Sequence, residues 1–502
     1  CSPESRKRCR LVRRTSGDEC AGRIERRAPP LQKAGRAGRH RGNRAVVAWT
    51  QQGEGRCLAS RPPVWFLRYR PAVKILGISG FERAIPFKRA HWPGLDEREY
   101  RISQGHDSAA VLLVDGRIVA AVAEERISRK KHTGSFPAGA IGYCLKEAGV
   151  AIEEIDELAH GFDYAPYRGL YALDPVTREL YREVYSRDAL LELVRRDLPG
   201  LPEDRVHAVN HHLAHAASAA FTSGWDECLV VVLDGMGEAH SASVYHARGA
   251  RLERLFRISA LDSIGILYSL ITLHLGFDFN ADEYKIMGLA PYGDAARFRR
   301  FFEEAVALTP DGGFRIPALK LNDGGEARER YLATRGFLTT QLGPARSPED
   351  EITDVHRDVA AALQECLDRV LLHLCGHFGA ATGQRRLALA GGVALNCTAN
   401  GRLLQAGLFD EIYVQPAAGD DGSALGAALW RAVQGGEVRN ERLPVPFLGP
   451  AYGRAEIAAA LAACGERVEA VELESLAAAC AEAARLIAQG RVVAWYRGRM
   501  EF

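Results

Sequence analysis

The chain has 502 residues, 47% hydrophobic and 25% charged, the proportions of a globular protein with room for two to four domains. Its net charge of +2 conceals an asymmetry: residues 1–70 hold 16 Arg, 2 Lys and 5 acidic residues, or +13, whereas the other 432 hold 47 basic and 58 acidic residues, or −11. The mildly acidic body excludes a general nucleic-acid footprint, and no run of 18 apolar residues marks a membrane-spanning helix.

The Arg-rich segment 1–72 lacks apolar periodicity, so it reads as a disordered extension. A mis-started frame or an appendage accounts for it better than a nucleic-acid arm, since the first methionine is Met236. No apolar stretch follows its basic residues, as a signal peptide requires. The 11 cysteines are scattered without a C-x-x-C pair and read as reduced thiols of a cytoplasmic protein.

Order is expected to begin at VKILGIS (73–79). AAVLLVDGRIVAAVAEE (109–125) reads as two strands about the Asp115-Gly116 turn. AIGYCLKEAGV has helical spacing, ELAHGFDY and RVHAVNH are short strands, and residues 165–200 are helical with a Tyr/Leu face. Residues 227–259 repeat the strand theme, helices follow at 263–276 and 352–378, and 385–396 and 411–433 each read strand, glycine loop, helix. Hairpin strands followed by α/β alternation thus occur twice, which predicts an α/β fold of two related lobes across a cleft. Residues 437–453 read as a linker, and a helix, a Gly490 stop and a strand follow.

Three motif groups carry chemistry. His211 and His215 share one helical face, one turn apart, a spacing suited to metal capture. Such a pair is commonly surface or core, so a metal needs further ligands. Asp234 and Asp420, each in a loop after an apolar strand, can supply them or can simply cap helices. The second group is the glycine loops DGMGE, AGGVALN and GDDGSALGAAL. Their Gly235, Gly237, Gly391, Gly392, Val393, Asn396 and Gly422 are candidate phosphate or nucleotide contacts through exposed N–H groups. The third is His106 and Asp107, a candidate base and its neighbour at a strand start, with Lys285 as a candidate phosphate ligand. The plain alternative for Lys285 is a surface lysine. No P-loop is present.

In order along the chain, GHDSAA, AEERISRKKH, HHLAHAASAAF, LDGMGE, EYKIMGLAPYG, AGGVALN and PAAGDDGSALGAAL resemble the O-carbamoyltransferases of the nodulation and antibiotic-tailoring family. The resemblance covers residues 73 to about 434, and WYRGRMEF resembles the opening of that family's second catalytic domain. It implies a duplicated actin/hexokinase-like domain at 73–436, a linker at 437–455 and the truncated start of a YrdC-like α/β domain at 456–502. It also implies ATP-dependent transfer of a carbamoyl group, from carbamoyl phosphate by way of a carbamoyl-adenylate, to a hydroxyl of a sugar or secondary metabolite. On matching positions His211, His215, Asp234 and Asp420 form an iron-type metal shell, with Mg2+ as a further candidate ion. His106 sits by the acceptor hydroxyl, and Lys285, Gly391, Gly392 and Asn396 face the adenylate.

Two departures bear on this. FERAIPFKRAHWPGLDEREYRI (81–102) intervenes where the family passes directly from strand to His-Asp turn, and it reads as a lid or an acceptor-recognition loop. With only VVAWYRGRMEF of the second domain present, the chain is expected not to make the adenylate itself, and Arg499–Phe502 would be the broken edge of that site. The alternatives are a tRNA threonylcarbamoyl transferase, an actin-fold sugar kinase and a catalytically dead binding module. The acceptor and the oligomeric state, a homo-oligomer included, stay open at this point.

Overall fold

The computed structural model describes residues 10–13, 72–437, 440–443, 445–465 and 468–502. The disorder expected of residues 1–72 therefore falls almost wholly outside the described residues. The chain divides into two compact units: residues 72–452 with 496–502, and residues 1–71 with 453–495.

The larger unit holds two five-stranded sheets. In the first lobe β1 (Lys74–Ile78), β2 (Ala109–Val114), β3 (Arg117–Ala123), β4 (Glu157–His160) and β5 (Val206–Ala208) lie in the order β3-β2-β1-β4-β5. In the second, β6 (Glu227–Gly237), β7 (His240–Arg248), β8 (Arg251–Ser259), β9 (Arg386–Ala390) and β10 (Glu411–Val414) lie in the order β10-β9-β6-β7-β8. Each sheet has its first strand in the middle, an antiparallel meander on one side and two parallel strands on the other. This is one topology used twice, the duplicated actin/hexokinase-like arrangement. The uninterrupted apolar stretch of β6 follows from burial on both faces.

Before the last sheet strands this unit includes the helices α1 (Ala84–His91), α2 (Glu97–Tyr100), α3 (Ala138–Ala148), α4 (His211–Thr222), α5 (Ile264–His274), α6 (Glu283–Leu289) and α7 (Gly325–Arg330). α8 (Leu332–Leu342), α9 (Asp354–Thr382), α10 (Cys397–Gln405) and α11 (Asp420–Gln434) follow. The helix ending each lobe, α4 or α11, lies between the sheets: one core cluster joins Ile75 and Val111, Ala216 and Ala220, Val230 and Ala388, and Ala424 and Ala428. The small residues of both helices permit this. A Cβ on Gly426 would lie 1.7 Å from the Ala214 carbonyl oxygen, and one on Gly77 would lie 2.1 Å from that of Ala424.

The segment 81–102 forms α1 and α2 and reaches the second lobe. Ile102 is buried in that lobe's core, Asn280 donates to the Arg101 and Ser103 carbonyls, and Glu99 pairs with Arg330 and Arg335.

The smaller unit contains helices Arg454–Cys464 and Leu476–Ala488 and a parallel pairing of Arg10–Arg13 with Glu469–Glu472. The strand expected after Gly490 does not form: Val492 is fully exposed, and no strand among the described residues offers it hydrogen-bond partners. Arg499–Phe502, expected at the broken edge of another site, belongs to the larger unit. Arg499 donates to the Gly449 carbonyl and the Tyr143 hydroxyl, Phe502 N–H donates to the Pro446 carbonyl, and the Phe502 ring is buried in the inter-sheet core. No helix among the described residues is long and apolar enough to cross a membrane.

Candidate metal centre

His211 is the first residue of α4, capped by Asn210, whose side chain accepts from the Leu213 N–H. His215 follows one turn later. Asp420 opens α11, and Asp234 lies in β6 where its pairing with β7 is interrupted. One donor atom from each of these four buried residues falls within 4.8 Å of the other three. His211 Nε2 is 3.2 Å from Asp234 Oδ2, 3.4 Å from Asp420 Oδ1 and 3.0 Å from His215 Nε2.

The surroundings fix these groups. The Gly161 carbonyl, 3.0 Å from His211 Nδ1, accepts from that nitrogen and turns Nε2 toward the other three donors. Phe162 stacks on the His211 ring at 3.9 Å. The Gly392 N–H donates to Asp234 Oδ1 at 2.9 Å, so the glycine loop after β9 orients this carboxylate.

The electrostatics put a proton among these groups, in the place a cation would take. Burial disfavours a charge on His211, yet the Asp420 and Asp234 carboxylates outweigh it and raise its pKa well above the ordinary value. Burial likewise opposes ionisation of both aspartates, but the His211 hydrogen bonds and charge hold them well below the usual carboxylate range. Burial, then the His211 charge, lowers His215. Two ionised carboxylates therefore face two imidazole Nε2 atoms only 3.0 Å apart. That crowding of donors around one point is relieved by a divalent cation, and a mixed N/O set suits a transition metal. The four residues fit a metal.

A cavity of about 270 Å³ opens beside them, lined by Asp234, Asp420, His106, Asp107, Gly235, Gly392, Val393 and Asn396 among others. His106 Nδ1 is 3.8 Å from Asp420 Oδ2 and its Nε2 is 3.5 Å from Asp107 Oδ2. Burial works to lower the His106 pKa, but Asp107, Asp420 and Asp234 raise it above its ordinary value.

The remaining sequence candidates make other contacts. Lys285 is not in the cavity wall: it pairs with Asp282 at 2.8 Å on the outer face of α6, while Glu283, Tyr284 and Met287 of that helix face the cavity. Gly237 and Gly422 are packing positions, where a Cβ would strike the His211 ring at 2.3 Å and the Ala417 carbonyl at 1.9 Å. Gly391 sits at φ +90°, against the Leu233 backbone. Asn396 caps α10 and exchanges hydrogen bonds with Gln364.

The sequence reading missed three groups. His132 Nδ1 is 2.8 Å from Asp107 Oδ1, and Glu125 accepts from the His132 N–H. Glu238 accepts from the Asn210 amide and from the His211 and Asp163 N–H groups, bracing the start of α4. All three stand inside motifs noted above, but nothing local said which charges of those runs turn inward.

The family model for the N-terminal part of carbamoyltransferases matches residues 100–165 and 173–429. The chain belongs to the carbamoyltransferase family. All four metal-type donors and His106 lie within the matched stretches, whereas most of the segment 81–102 precedes them. An uncharacterized protein of Synechocystis sp. is 39% identical over 427 residues, covering 79% of this chain and 67% of the relative. Nodulation protein NolNO of Sinorhizobium fredii is 38% identical over 401 residues, covering 79% of this chain and 56% of the relative. The chain thus spans between about half and two thirds of these relatives' lengths. Among solved structures, component A of the (R)-2-hydroxyglutaryl-CoA dehydratase of Acidaminococcus fermentans is 16% identical over 72% of this chain and 99% of that one, with a TM-score of 0.36.

Proposed function

We propose that residues 72–452 form the transfer domain of an ATP-dependent O-carbamoyltransferase, moving the carbamoyl group of a carbamoyl-adenylate to a hydroxyl of a small acceptor. The observation that carries this reading is the convergence of His211, His215, Asp234 and Asp420 beside a cavity whose wall also holds His106. In this reading the quartet holds iron(II), and the adenylate is formed elsewhere from carbamoyl phosphate and ATP.

When bound, a divalent cation here supplies Lewis-acid polarisation of the carbamoyl carbonyl and charge for the adenylate phosphate. The chain's own residues do the rest. Asp107 faces Nε2 of His106, leaving Nδ1, which has no hydrogen-bond partner among the described residues, to take the acceptor proton. The hydroxyl oxygen bonds to the carbamoyl carbon, the bond from that carbon to the phosphate oxygen breaks, and AMP leaves with the electron pair. The apolar wall contributed by Ile264, Ile266 and Phe279 keeps water away from the carbamoyl carbon.

A sugar kinase of the same fold would hold Mg2+ on carboxylates and water; two buried imidazoles favour a transition metal instead. The test is His211→Ala. Elemental analysis is expected to show loss of bound metal, and transfer from supplied carbamoyl-adenylate is expected to vanish, with the far-UV circular dichroism unchanged. Full metal content or undiminished transfer in that variant refutes the proposal.

A further inference from the structure

A separate stretch of the cavity wall is made by Gln104, Tyr185, Arg328, Glu329 and Tyr331. Three carboxylates line the cavity outside the metal quartet: Asp107, Glu283 and Glu329. Asp107 is bonded to His132, and Glu283 accepts from the Ser269 hydroxyl and the Asn280 N–H. No group among the described residues donates a hydrogen bond to the Glu329 carboxylate; its partner is Lys88 Nζ, 3.8 Å from Oε2.

Lys88 comes from α1, in the segment 81–102, and is 2% exposed. Its ammonium donates to the Ile102 carbonyl and, at 2.6 Å, to the backbone carbonyl of Glu329 itself. It therefore pins the Glu329 backbone across the lobes while balancing the carboxylate charge. Burial draws Lys88 down to about 8, Glu329 being the chief influence in the other direction, and burial raises Glu329. A carboxylate held this way has its charge largely offset, and with 25% of its side chain exposed its hydrogen-bond acceptors stay accessible. The group that meets such acceptors best, beside a cation already in place, is a neutral O–H rather than a second cation.

We propose that Glu329, positioned by Lys88, receives a hydroxyl of the acceptor other than the one that is carbamoylated. The inference rests on the transfer reading above for which hydroxyl reacts, but the anchor itself is a binding statement. Lys88 acts through Glu329 and is a positioning residue.

The experiment compares glucose and propan-1-ol as acceptors, with carbamoyl-adenylate supplied, in the full chain and in Glu329→Ala and Glu329→Gln. The wild type is expected to favour glucose. The preference, as a ratio of kcat/KM, is expected to fall at least tenfold in Glu329→Ala and at least threefold in Glu329→Gln, chiefly through KM for glucose. Glu329→Gln keeps side-chain shape, so it decides the matter if the alanine variant does not fold. An unchanged ratio in a folded variant overturns the anchor. Saturation-transfer NMR with glucose alone separates the two ideas. If no protein transfers to either alcohol, the transfer reading fails; a glucose signal in the wild type that is lost in the variants still supports the anchor. A signal absent from the wild type, or retained in the variants, overturns it.

Discussion

The closest approach in the larger unit yields a sharp test. Gly426→Ala places a Cβ 1.7 Å from the Ala214 carbonyl oxygen and 2.5 Å from its carbon, and real Cβ contacts stay beyond 3.0 Å. The obstacle is helix backbone, which cannot swing aside as a side chain can. α11 and α4 must part by at least 1.3 Å, the shortfall between those two distances. Metal sites tolerate ligand displacements of only about 0.2 Å, and α11 carries Asp420 while α4 carries both histidines. Overpacking of this kind costs about 3 kcal/mol, a fall in Tm of roughly 5 °C for a unit of this size. We expect Gly426→Ala to fold, melt earlier and purify with markedly less metal. Gly401→Ala is the control, because a Cβ there meets nothing within 4 Å, and it should gain about 0.5–1 kcal/mol from helix propensity. Calorimetry and elemental analysis read both variants. A Gly426→Ala protein with the wild-type Tm and full metal content would refute the argument that helix contact sets ligand geometry.

Two further outcomes follow from buried charge. His274, at the end of α5, is held at about 4 by burial, with His356 and Arg335 adding repulsion. Its folded pKa lies below the unfolded value of about 6.5, so the neutral ring contributes fully above pH 6.5 and that contribution is lost as pH falls toward 4. Urea titrations should show the wild type losing about 3 kcal/mol more than His274→Gln between pH 7 and pH 4; equal losses would contradict this. Glu99, half-way along α2, faces both Arg335 at 2.9 Å and Arg330 at 3.3 Å. Glu99→Ala strips Arg335 of its carboxylate and leaves Arg330 to Glu326, a change of about 1–2 kcal/mol, and should speed amide hydrogen exchange across residues 84–103. Unaltered exchange there would show that the ion pairs do not hold the segment.

Much of the centre was legible in the chain because its signals are local. His211 and His215 share a helix face, and Asp234 and Asp420 each follow an apolar strand, so the fold had only to bring three places together. Both lobes were legible for the same reason, as apolar strands and Asp-Gly turns repeat in order. What failed depends on direction rather than spacing. Lys285 and Met287 are two residues apart on one helix, and only tertiary packing decides that Met287 faces the cavity and Lys285 faces Asp282. Gly237 and Gly422 have the look of phosphate loops, but their missing side chains make room for a ring and a carbonyl. The apolar strand expected after Gly490 had the right residues and, among the described residues, no neighbour to pair with. Glu329 was not legible: its place in the cavity wall opposite Lys88 is set by tertiary packing, which no residue pattern encodes.

The segment 81–102 has a bearing on traffic into the cleft. Proteins built from two hinged lobes commonly admit reactants by swinging the jaws apart about the central helices. Here Lys88, Glu99 and the Arg101 and Ser103 carbonyls form rungs from one jaw to the other. A wide gape would snap all of them at once, so entry and exit are better served by local unlatching of this one crosspiece, and the pace of release would be written in its sequence.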